Sequence, residues 1–336
     1  MKKNSADGRL LIWQCGINMV KDAPWIGHGL GSFEAHYMDY QANFFKQCGQ
    51  SRFSMLADNV KQPFNEYLGL LLNFGIIGLL VLLLLMVIII YCYRKNPSVE
   101  KQIAFYSLSS IGIFSFFSYP FAYPFVWVVT FLSIFIITSE YIKPLFSNIL
   151  IKKIACMFIL TYSLFGSSKL FERIQAELDW GKASTLALCK SYNETLPTYE
   201  RLEKMFVSNP YFLYNYAAVL QEMKQYTESL EVALKCRQYW ADYDLELIIG
   251  ENYQQLNKPE LAEKYYNSAS MMCPSRFLPL YKLFYLYKTN GEKERSLAMA
   301  EAVISKPMKI KTTTIRMMKR EMEREIQKMN MSIKLE

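Results

Sequence analysis

The chain has 336 residues, 52% hydrophobic and only 20% charged, with a formal net charge of +8. Its seven cysteines are scattered and form no C-x-x-C pair, which excludes a dithiol redox motif and a cysteine-bound zinc. The basic excess falls beside apolar runs and in the tail after Lys306, with no zinc spacing, nucleotide-reading motif or basic–aromatic platform, so it reads as membrane topology plus a solvated helix rather than nucleic-acid binding.

In chain order, Met1–Ser5 is not followed by an apolar core and does not read as a signal peptide. Residues 8–22 read as an amphipathic helix, with Leu10, Leu11, Trp13, Ile17 and Val20 at helical spacing and Arg9 at its start. Pro24-Trp25-Ile26-Gly27-His28-Gly29-Leu30-Gly31 follows. Its alternate glycines permit a tight backbone path near a partner. The spacing does not match G-x-G-x-x-G and no strand precedes it, so a nucleotide loop is rejected.

Residues 68–93 are uncharged and dominated by Leu, Ile and Val, long enough to cross a hydrocarbon core that takes about 20 helical residues. The next apolar stretch is too long for one crossing and is interrupted by Pro120 and Pro124. It is expected to form two spans, 102–119 and 122–141, joined by a turn whose tyrosines sit at the interface. A fourth span is expected over 148–167, with Lys152 and Lys153 snorkelling from its start. Arg94, Lys95 and Lys101 follow the first span, and Lys143, Lys152 and Lys153 follow the third, whereas the Tyr119–Pro124 turn carries no charge. Both basic loops are therefore assigned to the cytoplasm, which places residues 1–66 and 168–336 together on the outer side if all four segments cross.

The last half of the chain repeats with a period of about 34 residues. Asn215–Leu220, Lys224-Gln225-Tyr226 and Ala233 recur as Ile248–Tyr253, Asn257-Lys258-Pro259 and Ala262, and again as Leu283–Tyr287, Asn290–Lys293 and Ala300. This resembles the tetratricopeptide repeat, in which small residues let two helices pack closely; a looser unit ending at Asn209-Pro210 precedes, and the helix from Thr312 to Met329 suits a terminal cap. The expected fold is all-α: a loop over 1–66, a polytopic transmembrane helical bundle over 67–167 and a tetratricopeptide-type α-solenoid over 168–336. Repeats of this kind dock partners or simply stabilise the protein.

Gly8-Arg9 with Trp13, then Pro24 and the Gly27-x-Gly29-x-Gly31-x-Phe33 pattern, then Asn65-Glu66-Tyr67-Leu68 leading into Phe74-Gly75-Ile76-Ile77-Gly78-Leu79, resembles the O-antigen ligase and polymerase family over residues 5 to 140. The resemblance implies a glycosyltransferase of the bacterial inner membrane that moves a glycan from a polyprenyl diphosphate carrier to an acceptor at the outer face, using neither nucleotide sugar nor metal cofactor. The acceptor would be lipid A core, a growing polymer or a protein hydroxyl, so ligase, polymerase and protein O-oligosaccharyltransferase all stay open. Family members carry many spans before this loop, so the resemblance is to an N-terminally truncated member, which alone need not be active.

A diphosphate leaving group calls for guanidinium or ammonium groups. Arg9 is the first candidate, with Arg52 and Lys61 behind it and Asn65 as a further glycan ligand; an interface anchor at a helix start is the competing role for Arg9. The family's usual histidine near Gln62-Pro63-Phe64-Asn65 is missing here, so Glu66 and His28 are the candidate bases. Glu66 equally suits a helix start, where the dipole favours a carboxylate; His28 equally suits an ordinary loop position, and His36 has no supporting context. A non-catalytic membrane-tethered adaptor that recruits a protein through its repeats is the alternative function. A transporter is disfavoured, because the spans lack the charges that mark a translocation path.

Overall fold

The computed structural model describes residues 2–49, 51–142 and 149–333, and among them every regular element is helical. Helices α1 (Lys2–Asp22) and α2 (Ser32–Cys48) precede α3 (Glu66–Lys95), α4 (Val99–Phe114), a 3-10 turn at Pro120–Ala122, α5 (Pro124–Ile142) and α6 (Ile149–Leu188). The chain forms two compact units. One comprises Met19–Phe33 and Gln62–Lys182; the other comprises Met1–Asn18, Glu34–Lys61 and Ala183–Glu336.

In the first unit, α3 and the Pro124–Tyr141 part of α5 are the two described helices long and apolar enough to cross a membrane. Only 6% of the apolar window of α3 and 11% of that of α5 is buried, whereas the core helix of a soluble protein would be mostly covered. Asn65 caps α3 by accepting from the Leu68 amide at 3.0 Å, and Ser98 caps α4 by accepting from the Lys101 amide. The expected turn between the second and third segments forms where the prolines require it. Pro120 opens the 3-10 turn and Pro124 takes the first position of α5, where its missing N–H costs no helical bond. The Trp127 indole donates to the Phe121 carbonyl at 2.7 Å, holding the turn against α5.

Two features depart from the expected four-span bundle. Helix α4 is 16 residues long, shorter than the 102–119 segment, because the chain leaves the helix at Ser115, five residues ahead of Pro120. The segment expected at 148–167 is the first half of a continuous 40-residue helix. Nothing around Gly166 breaks it: Ser167 donates to the Ser163 carbonyl, and the pairs Lys169–Glu172 and Arg173–Glu177 carry the helix onward. Residues 143–148, including Lys143 and Asn148, lie outside the described residues. Lys101 is not a loop charge but a buried residue of α4, 4% exposed, paired with Glu140 of α5 at 3.2 Å.

In the second unit, α7 (Tyr192–Leu202) is followed by three antiparallel pairs: α8 (Pro210–Glu222) with α9 (Tyr226–Arg237), α10 (Tyr243–Gln255) with α11 (Pro259–Met272), and α12 (Leu278–Thr289) with α13 (Lys293–Ser305). The turn inside each pair carries a left-handed residue, Lys224, Asn257 and Gly291, and Lys190 occupies the same place ahead of α7. These four positions are 34, 33 and 34 residues apart, so the end of α6 with α7 makes a further repeat. A left-handed residue at a helix end satisfies the last carbonyls while reversing the chain. Gly250 shows why small residues recur. A Cβ there would stand 2.6 Å from the ring of Tyr266, which is fully buried in its place. A buried polar ladder joins neighbouring repeats: Asn252 donates to Ser229, Ser229 to the Ala217 carbonyl, and Gln221 to Asn252. Helix α14 (Thr313–Ile333) ends the stack, with Met322 buried against Phe277, Phe284, Ala300 and Val303.

Candidate functional site

Helix α3 is broken. Gly75 adopts φ 63° and ψ −159°, which separates a short first segment from one running from Ile76 to Lys95. A broken helix loses i→i−4 bonds on both sides of the break, and those backbone groups need other partners. The glycine loop supplies them. The amides of His28 and Gly29 donate to the carbonyls of Leu72 and Asn73 at 2.8 and 3.0 Å, while the amides of Ile76 and Ile77 donate to the carbonyls of Pro24 and Trp25 at 2.8 and 3.2 Å.

So close a backbone approach leaves no room for side chains. A Cβ on Gly27 would lie 2.6 Å from the Asn73 backbone, and one on Gly75 would lie 2.3 Å from the Trp25 carbonyl oxygen. Both residues also have positive φ. The partner that Gly27 meets is therefore the backbone of α3, and Gly27 and Gly75 are the two halves of one interlock. The buried Ser32 adds a side-chain tie, its hydroxyl donating to Asn73 Oδ1 at 2.9 Å.

His28 sits in this interlock. Its Nε2 lies 2.8 Å from the Met19 carbonyl oxygen. A carbonyl only accepts, so Nε2 carries the proton and Nδ1 is the basic atom of the neutral ring. Asn65 and Glu66 open α3, about 9 Å along the helix axis from Leu72. The Glu66 carboxylate accepts from the Phe121 amide at 3.0 Å, and the Glu66 amide donates to the Ser115 carbonyl. Glu66 thus fastens the 3-10 turn to the start of α3, while Tyr67 adds a bond to the Gly112 carbonyl at 2.8 Å. Phe64, just ahead, is held at φ 54°, a left-handed conformation that costs a bulky residue about 1–3 kcal/mol and clusters at functional sites.

Arg9, Arg52 and Lys61 belong to the unit that contains the repeats. The Lys61 ammonium lies 4.3 Å from the ring centroid of Tyr211 and 5.2 Å from that of Trp240, and the Arg52 guanidinium lies 4.7 Å over Phe53. Lys61 is the last residue of a segment that docks on the turns between repeats. The Ala241 amide donates to the Glu34 carbonyl at 2.9 Å, Gln41 donates to the Met272 carbonyl at 2.6 Å, and the Asp58 carboxylate meets Arg276 at 2.7 Å. Arg237 pairs with both Asp39 and the buried Glu246. Asp242 caps α10 by accepting from the amides of Asp244 and Leu245; burial, reinforced by Asp244, pushes its carboxyl up to about 6. The structure thus brings His28, Asn65 and Glu66 into one unit, and Arg9, Arg52 and Lys61 into the other. Among the described residues no group of three or more His, Cys, Asp or Glu side chains is arranged to hold a metal ion.

Sequence reasoning missed Asn73, Ser32 and the reciprocal role of Gly75. The available signal was the glycine in Phe74-Gly75-Ile76, placed inside an otherwise apolar run that a loop rich in glycine precedes.

Comparison with known proteins bears on the same residues. Residues 1–83 match the family model described as O-Antigen ligase, a match that takes in the whole loop and the break in α3. No curated protein matches the chain. Among solved structures the chain is similar to YrrB, a TPR protein with an unusual peptide-binding site, at 19% identity over 38% of this chain and 66% of that one, with a TM-score of 0.35. It is also similar to MamA, at 13% identity over 46% and 89%, with a TM-score of 0.37. The MamA 41-end structure from Desulfovibrio magneticus RS-1 is 19% identical over 44% and 76%, with a TM-score of 0.36.

Proposed function

We propose that this chain works as a membrane glycan ligase, transferring an oligo- or polysaccharide from a polyprenyl diphosphate carrier to an acceptor hydroxyl such as that of lipid A core. The observation that carries the reading is the position of the O-antigen ligase match. It covers residues 1–83, the segment in which loop and α3 interlock through Gly27 and Gly75. In the reaction the acceptor oxygen bonds to the anomeric carbon, the carbon–oxygen bond to the diphosphate breaks, the hydroxyl proton passes to a base, and polyprenyl diphosphate leaves.

Among the candidate bases His28 is favoured. Its Nε2–H is held by the Met19 carbonyl within the loop that interlocks with α3, and imidazole is the commonest general base, whereas the Glu66 carboxylate fastens the Phe121 amide at the start of α3. Among the cations Arg9 is the first candidate for diphosphate ligand, because a guanidinium binds phosphate oxygens bidentately. Arg52 and Asn65 remain secondary ligands.

In this reading α3, α4, α5 and the first half of α6 cross the bacterial inner membrane, and the loop and the repeats share the periplasm. The basic residues Arg94 and Lys95 at one end of α3 and the uncharged aromatic turn at Tyr119–Pro124 favour that orientation. The adaptor reading gains less support. The turns between repeats are taken by the chain's own residues 34–61, so that edge is not open to a partner.

The test is transfer by the full chain in vesicles, with a polyprenyl-diphosphate-linked glycan and lipid A core. Arg9→Ala and His28→Gln should each lower transfer by about 100-fold or more while the chain still unfolds cooperatively on heating. Unimpaired transfer in both variants would remove these residues from the reaction.

A further inference from the structure

The glycine loop carries its apolar side chains outward. Trp25, Ile26 and Leu30 are 67, 73 and 82% exposed, although the backbone between them is bonded to α3. A loop of a soluble protein that turned three large apolar residues to water would lose their burial for no return, about 1.5–3 kcal/mol for each side chain. We propose that this loop is a membrane anchor, with Trp25 at the headgroup boundary and Ile26 and Leu30 entering the outer edge of the hydrocarbon. The inference rests on the reading of α3 as a membrane span and adds a lipid-contacting surface outside the spans themselves.

Length places the loop at that depth. The helix from Ile76 to Lys95 is about 20 residues, or about 30 Å, which by itself fills a hydrocarbon core. With Arg94 and Lys95 held at one headgroup layer, the break at Gly75 falls at the opposite boundary. The four backbone bonds between residues 24–29 and 72–77 therefore fix the loop at that boundary. The apolar surface is also continuous. Ile77, Leu80 and Val81 are exposed on α3 immediately beyond the break and carry the belt onward from Trp25 and Ile26. The occupant that fits a belt continuous with a spanning helix is lipid, because a protein partner covering the loop alone would leave the adjoining face of α3 in water. The flanking polar residues Lys21, Asp22 and His28 suit a segment that rests in the interface rather than crossing it. The loop and its half-helix would then form an interlock whose outer face lies in lipid and whose inner face positions His28.

The experiment uses the full chain in phosphatidylcholine–phosphatidylglycerol vesicles that contain lipids brominated either near the glycerol end or near the methyl end of the acyl chain. The Trp25 contribution is the fluorescence lost on Trp25→Phe, and Trp127→Phe, at the start of α5, isolates a residue of a span as the reference. The proposal expects Trp25 emission to be quenched about twofold by the shallow bromine and less by the deep one, with protection from aqueous iodide. Quenching of Trp127 with none of Trp25, which iodide then reaches, would overturn the anchor while leaving the span intact. Loss of quenching at both residues would overturn the membrane reading and the anchor with it. Ile26→Asp with Leu30→Asp should shift Trp25 emission to longer wavelength; an unchanged spectrum would contradict entry of these residues into lipid.

Discussion

The two halves of the segment between α1 and α3 are held by different physics. Residues 24–29 bind α3 through backbone groups, with glycine required on both sides of the contact. Residues 34–61 bind the repeats mainly through side chains: Asp39, Gln41 and Asp58 meeting Arg237, the Met272 carbonyl and Arg276. A backbone contact tolerates no added atom but is blind to charge, whereas a side-chain contact can be dismantled one group at a time and responds to pH. The first half should therefore fail abruptly on substitution, and the second by increments.

The largest effect should come from Gly75→Val. A side chain there meets the Trp25 carbonyl at 2.3 Å from a left-handed backbone, so loop and helix separate. The loss should exceed about 3 kcal/mol, read as protease cleavage within residues 24–31 of membrane-embedded protein. A valine variant as protected as the wild type would break the contrast. Next is Arg237→Ala, which leaves Glu246, 1% exposed, without its ion-pair cation. It should cost about 3 kcal/mol in denaturant unfolding of the repeats, and Glu246→Gln in the same chain should recover part of it. Gln41→Ala strips one donor from the buried Met272 carbonyl and should cost about 1–2 kcal/mol.

The smallest effect concerns pH. Burial raises the Asp242 carboxyl to about 6 in the folded chain, so the folded state binds this proton more tightly than the unfolded state does. Its contribution to stability is full below the unfolded value near 3.8 and is lost as pH rises through about 6. Asp242→Asn keeps an oxygen to cap α10, so it should flatten the fall in repeat stability between those pH values with little change at the acid end. An undiminished slope would assign the dependence to other carboxylates.

Much of this architecture is legible in the residues. The uncharged run at 68–93 becomes α3, the prolines at 120 and 124 place a turn, and the repeat period reappears as left-handed turns at Lys190, Lys224, Asn257 and Gly291. The break in α3 is not legible locally, because a glycine in an apolar helix is ordinary. Only the approach of Trp25 and Gly27, some fifty positions earlier, gives Gly75 its conformation. Likewise Asp39, Gln41 and Asp58 look like solvated surface until Arg237, Met272 and Arg276 fold against them. The end of the apolar half of α6 is hidden for the opposite reason: residues after Gly166 continue the same helix. Of the candidate site, His28 was legible as a histidine between glycines, but the carbonyl that fixes its tautomer was not.

The interlocked loop is proposed to serve glycan transfer. The most direct test is to supply the purified full chain, in vesicles, with a labelled polyprenyl-diphosphate glycan and lipid A core, then measure labelled acceptor and free polyprenyl diphosphate together. Both products should appear in equal amounts, and both should fall about 100-fold in His28→Gln. Release of polyprenyl diphosphate with no labelled acceptor, or equal transfer by the wild type and His28→Gln, would remove the loop from the reaction.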